Sequence, residues 1–422
     1  MVSDAPYMGA YTPSRGPETM HLLLRWTLPL AAAAILLVTT GGRQTIGLFV
    51  APLDQATGFG IVSISLAIAI GQFTWGFSQP FFGAVADRFG PGRVIVFGGL
   101  MLALGTALVP FVHSEWQLIA VLGVISAFGA GAGSFSILIG SLMQRLPPEK
   151  RSFAAGFVNA GGSLGQFVFA PIVQAVISGF GWVTAMLAVA GASLLTLPLA
   201  WPLRRRDGIH IATGPGAVPL TTLRAQLRIA AASPSYWLLH LGFFTCGFHV
   251  AFLVTHLPGE VSLCGLPATI SANSLAIIGL ANIAGSLGSG WLGNRYRMKH
   301  LLFWLYLSRA VAVLLYLMAP KTEFTFYVFA AVLGVTWLST VPPTAGLVGK
   351  LFGVRYLATL FGLTLLSHQL GGFYGAWLGG LAIANFGDYG WMWYADALLA
   401  TMAALSNLPI REARIVRAPA VA

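Results

Sequence analysis

The sequence predicts an all-α integral membrane protein of 12 transmembrane helices in two six-helix bundles, and three observations carry that prediction. Apolar residues fill 57% of the 422 positions and charged residues only 8%, against about 25% charged in an ordinary soluble domain. Apolar runs of bilayer-spanning length, about 20 residues each, recur along the chain between polar or Pro/Gly punctuation. The net charge of +11 is not clustered but falls in alternate loops.

Taken in order, the spans fall at about 27–52, 61–86, 94–112, 118–143, 153–178, 182–203, 235–258, 268–293, 301–319, 325–349, 357–384 and 389–409. Residues 1–24, rich in Pro, Gly and Ser, are expected to form a disordered cytoplasmic tail. The run that follows is too long for a signal-peptide core and has no obvious cleavage site, so it is retained as span 1. With the N-terminus inside, all but three of the 23 lysines and arginines fall in cytoplasmic segments; Lys321 lies outside, and Arg43 and Arg309 lie within spans. This is the positive-inside pattern, and it places both termini in the cytoplasm of a multi-pass inner (plasma) membrane protein.

The same distribution argues against a nucleic-acid partner, because no basic module interleaved with aromatics exists. Cys246 and Cys264 define no disulfide framework. Neither a metal-ligand cluster nor a nucleotide-binding loop is present, so no metal, no cofactor and no ATP drive are expected. GGSLG (161–165) matches the hydrolase elbow pattern but sits in an apolar helix, where small-residue packing explains it, and the chain is not expected to be an enzyme.

The longest interior gap, 204–234, acts as a cytoplasmic linker between an N-terminal bundle (25–203) and a C-terminal bundle (235–409), with a cytoplasmic tail at 410–422. A repeat supports the division. GAVADRFGPGR (83–93) follows span 2 and GWLGNRYRMK (290–299) follows span 8, so Gly83, Asp87 and Arg88 answer to Gly290, Asn294 and Arg295. Small residues permit close packing, the Asp or Asn can cap a neighbouring helix, and the Arg can hold carbonyls or an acidic group. Such loops are candidate conformational latches.

With these features the chain resembles the major facilitator superfamily. Gly92 stands where a second basic residue is common in that family's loop motif. RQTIGLFVAPL (43–53), PPEKRSFAAGFVNAGGSLGQ (147–166), VPPT (341–344) and SHQLGGFYG (367–375) are similar to the bacterial branch near monocarboxylate porters and oxalate/formate exchangers. The resemblance implies two pseudo-symmetric halves around a central substrate path. Those relatives commonly place a cation in helix 8 or 11 to meet the carboxylate, whereas span 8 here has no Lys or Arg and span 11 has His368. The Gly-Pro doublet that proton-drug antiporters carry in helix 5 is not met, since Pro171 follows the glycines only later.

Ionisable groups at membrane depth are expensive and mark pathways or partners. Arg43 lies about 24 Å into span 1, among Gly41, Gly42 and Gly47, and is either the carboxylate ligand or a structural arginine paired with Asp54 or a carbonyl. Aligning TGGRQTIGLFVAPL (40–53) with TCGFHVAFLVTHLP (245–258) sets Gln44 opposite His249. Arg43, Gln44, Asn159, His249, His368 and Gln369 are the candidate substrate-binding residues, and His249 and His368 are also candidates for proton coupling. Gln72, Gln79 and Gln166 either line the path or make interhelical hydrogen bonds, while Arg309 and Asp396 are expected to form a buried ion pair and Pro342 and Pro343 to bend span 10 as a gate. The function expected is secondary active transport of a small, monocarboxylate-like organic anion by alternating access, coupled to protons, in a monomer embedded in lipid. The alternative is efflux of an amphipathic or aromatic compound, with Arg43 structural.

Overall fold

The computed structural model describes residues 18–204 and 222–412, with side chains from residue 26 onward except those of 148 and 149. The remainder of the expected tails and linker, 1–17, 205–221 and 413–422, lies outside the described residues. Among the described residues there are twelve long helical segments and no strand. α1 runs Glu18–Arg43 and resumes through a tight turn at Ile46–Phe49 into Val50–Thr57; α2 is Ile61–Phe89; α3 is Pro91–Leu108. α4 is built from consecutive pieces between Glu115 and Met143. α5 and α6 form one run, Pro148–Ser193, divided at Gly181, whose φ of 85° suits only glycine. After a short amphipathic helix, Leu223–Ala231, come α7 (Pro234–Leu263), α8 (Ala268–Leu292) and α9 (Met298–Met318). α10 is Glu323–Thr336 plus Val341–Phe352, α11 is Leu357–Phe386 and α12 is Gly390–Asn407.

α1 starts earlier than the sequence pattern places it, inside the segment expected to be a tail. Leu22, Leu23 and Leu24 are good helix formers, and nothing between Glu18 and Pro29 interrupts the helix.

The halves meet along two helix pairs, α2 with α11 and α5 with α8. Small residues let these backbones approach. A Cβ on Gly83 would lie 2.8 Å from the Ala358 carbonyl oxygen, and one on Gly290 would lie 2.9 Å from that of Ser152. Those two glycines are the repeat-related pair, so the same packing device serves both contacts. The outward faces carry exposed Phe77, Leu104, Leu315 and Leu398, a surface suited to lipid.

Three helices are broken. α1 opens at Gln44 and Thr45, where the Thr45 hydroxyl donates to the Gly42 carbonyl at 2.8 Å. α4 opens at Gly133 and Ser134. α10 opens at 337–340, just before Pro342 and Pro343, which have no N–H to give the carbonyls of Leu338 and Ser339. The bend expected of the paired prolines is therefore a full interruption.

Candidate functional site

The three breaks surround a cavity between the two halves. α1 contributes Thr40, Arg43 and Gln44; α2 contributes Gln72 and Trp75; Phe135 of α4 and Leu338 and Val341 of α10 close it beside α7 and α11. It encloses about 30 Å³, room for a water or two, and both ends are shut. Towards one end Gly47 of α1 abuts the backbone of Val254 and Thr255 of α7. Towards the other, Gly83 and Gly140 abut Ala358.

Arg43 ends the first piece of α1, where the negative end of the helix dipole favours a cation. Its Nη2 donates to Gln72 Oε1 at 3.2 Å, and its guanidinium lies 4.4 Å from the centre of the Trp75 ring. Nε is buried without a hydrogen-bond partner. Asp54 instead accepts from the Gly60 N–H at 2.8 Å, and the ion pairs among the described residues are His249–Asp396 and Lys350–Glu412. The guanidinium thus faces the cavity held by an amide and a ring, with no carboxylate partner among the described residues. Behind it, a second cavity of about 50 Å³ inside the N-terminal half is lined by Arg43 and in part by Thr39, Thr106, Ser126 and Ser193.

The broken helices add to this potential. The last pieces of α4 and α10 begin at Phe135 and Val341, so their positive ends lie at the cavity. The opposing carbonyl ends are neutralised by the protein. Thr39 donates to the Gly133 carbonyl at 3.0 Å, Arg309 Nη2 to the carbonyls of Thr336 and Trp337 at 2.7 and 2.8 Å, and Asn159 Nδ2 to that of Leu338 at 2.8 Å. With the carbonyl end of the first piece of α1 met by Arg43 itself, the two helix N-termini add to the positive potential at the cavity.

Of the residues singled out from the sequence, Arg43, Gln44, His368 and Gln369 line this cavity together. Gln369 Nε2 donates to His368 Nδ1 at 3.0 Å. Asn159 and His249 do not line it. Asn159 ties the halves together, donating to Ser286 Oγ at 2.7 Å as well as to Leu338. His249 turns into the core of the C-terminal half, where its Nδ1 meets Asp396 Oδ2 at 2.5 Å. Asp396 therefore pairs with His249, and Arg309 is bound to backbone carbonyls, in place of the expected Arg309–Asp396 pair. Two contributors were left out of the candidate site: Gln72, for which the path was one of two alternatives and which does line it, and Trp75, whose only signal is its place three residues further along the same helical face.

The loop expected to act as a latch also takes a definite form. Asp87 Oδ2 accepts from the N–H and hydroxyl of Thr359 at 3.2 and 2.8 Å, capping the start of α11 in the opposite half. Its Oδ1 accepts from Gln144 Nε2 at 2.8 Å, and that amide also donates to the Arg355 carbonyl at 3.2 Å. Arg88 lies exposed over Phe89, and Asn294 and Arg295 are exposed, with Arg295 over Trp291. The two loops share their glycine packing but not their polar contacts.

The family model of the Major Facilitator Superfamily matches residues 32–376. Monocarboxylate transporter 13 of Rattus norvegicus is 27% identical over 86% of this chain and 83% of its own length. Oxalate:formate antiporter of Oxalobacter formigenes is 24% identical over 89% of both chains, and Monocarboxylate transporter 11 of Homo sapiens is 25% identical over 86% of this chain and 78% of its own. A match across most of the chain, to twelve helices in two halves around a central cavity, identifies this multi-pass membrane protein as a transporter of the major facilitator superfamily.

Proposed function

We propose that the protein carries a small monocarboxylate across the inner membrane by alternating access, together with a proton. The observation that carries this proposal is Arg43, a permanent cation facing the cavity between the halves with a free buried Nε–H and no carboxylate within ion-pair reach among the described residues. A guanidinium offers a carboxylate two parallel N–H donors, and such charge-assisted pairs are the strong ones. Gln44, Gln72 and Gln369 supply amide donors for the remaining lone pairs, while Val250, Val254 and Leu338 offer an apolar wall for a short alkyl group. The names of the relatives, monocarboxylate transporters and an oxalate:formate antiporter, point to the same substrate class. One cation balances one carboxylate, which favours a monoanion over a dianion.

Access alternates by rocking of the halves about α2–α11 and α5–α8, with the Asp87–Thr359 contact latching one end shut. That end carries Arg88, Arg145, Arg295 and Arg355 and faces the cytoplasm by the positive-inside rule, with both chain termini on the same side. A proton travelling with a monoanion makes the cycle electroneutral. The protein works as a monomer, each chain containing both halves of the path.

The test is uptake into vesicles reconstituted with the full chain, against a panel of labelled mono- and dicarboxylates, with and without an imposed pH gradient. Saturable monocarboxylate uptake that rises when the gradient drives protons the same way is expected. Movement of amphipathic or aromatic compounds without competition from any carboxylate would overturn the proposal in favour of efflux.

A further inference from the structure

Buried inside the C-terminal half, apart from the cavity, is a cluster of ionisable groups that carboxylate binding does not use. His249 of α7 and Asp396 of α12 are both fully buried and meet at 2.5 Å. His249 Nε2 and Asp396 Oδ1 are buried without hydrogen-bond partners. The groups that face this pair come from each neighbouring helix. α9 supplies Arg309 and α10 the Trp337 ring, and around Arg309 lie Tyr306 of α9 and Cys246 of α7, whose Sγ lies 3.4 Å from Thr340 Oγ1. His368 of α11 approaches from the cavity side, next to Cys246.

We infer that the coupling proton is held by the His249–Asp396 pair, away from the substrate, and not by the cavity-facing His368; this rests on the proton-coupled transport proposed above. The charge count supports it. With a neutral imidazole, Arg309 and Asp396 cancel, and the ring donates its Nδ1–H to the carboxylate. The lone pair on Nε2 is then an open acceptor. In a state of the cycle that opens this site to water, a hydronium ion gives up its proton there, an N–H bond forms, and water leaves. Asp396 steadies the resulting imidazolium while Arg309 opposes it. Burial and Arg309 both oppose a charge on the imidazole, and Asp396 favours it. The opposed influences make a site that can load and unload as its surroundings move.

The same cluster has a mechanical connection to the substrate. Arg309 holds the carbonyls of Thr336 and Trp337, and the Trp337 ring lies edge-on to His249 with centroids 5.5 Å apart. The next residue, Leu338, lines the cavity, gives its N–H to Asn282 at 3.0 Å and takes Asn159 from the opposite half on its carbonyl. A second cation at His249 disfavours Arg309 in its present place. The carbonyls that Arg309 would release belong to the turn on which cavity and halves converge. Proton binding off the path thereby reaches the gate through one unwound turn of α10.

The test uses the full chain in vesicles, comparing substrate exchange at equal pH with accumulation driven by a pH gradient. Wild-type protein that shows no gradient-driven accumulation removes the coupling proposal and this site with it. If the wild type accumulates, His249→Gln and Asp396→Asn are each expected to exchange substrate while accumulation falls to the level seen without a gradient. In weakly buffered detergent, proton uptake on adding the transported monocarboxylate is expected to be near one per chain for the wild type and near zero for His249→Gln. Retained accumulation in His249→Gln, or its loss in His368→Gln alone, would reassign the proton while leaving coupling intact. Loss of exchange and thermal stability together in both His249→Gln and Asp396→Asn would make the pair structural and overturn the inference.

Discussion

Replacing Asp87 by Asn tests how the halves are held closed at the basic end. Two of the hydrogen bonds to Asp87 cross between halves, from the Thr359 N–H at 3.2 Å and the Thr359 hydroxyl at 2.8 Å; the third, from Gln144, stays within the N-terminal half. Of the bonds to Asp87 only the crossing pair is lost when this end opens, together with the bond from Gln144 to the Arg355 carbonyl. A helix cap contributes about 1 kcal/mol, and a hydrogen bond to a charged group about 1.5 to 3 kcal/mol. Asn keeps an acceptor for Thr359 but gives up the charge, which roughly halves such bonds, and its NH2 meets the Gln144 Nε2 donor, so the Gln144 amide must turn. The expected loss is therefore about 1 to 1.5 kcal/mol, or about a tenfold shift toward the state open at this end. A Leu365→Cys reporter in the cavity wall reads that population by its rate of alkylation with a membrane-impermeant reagent, in a chain whose partly exposed Cys264 is replaced by Ser and whose Cys246 is buried. The rate should rise about tenfold from the basic side and not from the other. Thr359→Val should produce a smaller rise, and the double variant should not exceed Asp87→Asn by the full Thr359→Val effect, because both remove one contact. An unchanged rate in Asp87→Asn, or strictly additive effects, would refute the latch.

Trp75→Leu removes the ring 4.4 Å from the Arg43 guanidinium; with about 0.5 to 2 kcal/mol in a cation–π contact, carboxylate affinity should fall about 2- to 30-fold with little change in thermal stability, and unchanged affinity by titration calorimetry would count against a role in orienting Arg43. Reporters active only in the cytoplasm should work when fused after Arg228 and fail after Glu115 or Glu260, and the opposite pattern would invert the topology.

The fold was legible because apolar runs and the placement of lysine and arginine depend on the bilayer alone. The helix breaks were less so. Pro342 and Pro343 announce the interruption in α10, but it falls at 337–340, on the carbonyls those prolines cannot engage. Arg43 stood out because a guanidinium within a span is rare. His249 could not be placed from the pattern, since α7 is buried on nearly every side and its apolar periodicity does not tell the cavity face from the core face. The alignment of α1 with α7 fails for a related reason. α1 unwinds at Gln44 while α7 continues unbroken, so residues matched beyond that point do not face the same way. Trp75 escaped notice because tryptophan is common in membrane helices, and only the guanidinium above it marks this one.

The central claim is that Arg43 grips the substrate carboxylate, and it is tested most directly by measuring monocarboxylate binding and thermal stability on the same purified Arg43→Lys and Arg43→Ala proteins. Both variants should remain folded, since Arg43 is joined to the protein by one hydrogen bond to Gln72 and the face of Trp75. Arg43→Lys should bind more weakly by about 1.5 to 3 kcal/mol, the value of a charge-assisted hydrogen bond lost with the planar fork, and Arg43→Ala should show no measurable binding. Normal binding by a stable Arg43→Ala protein would contradict the account and leave the cavity without its anion ligand.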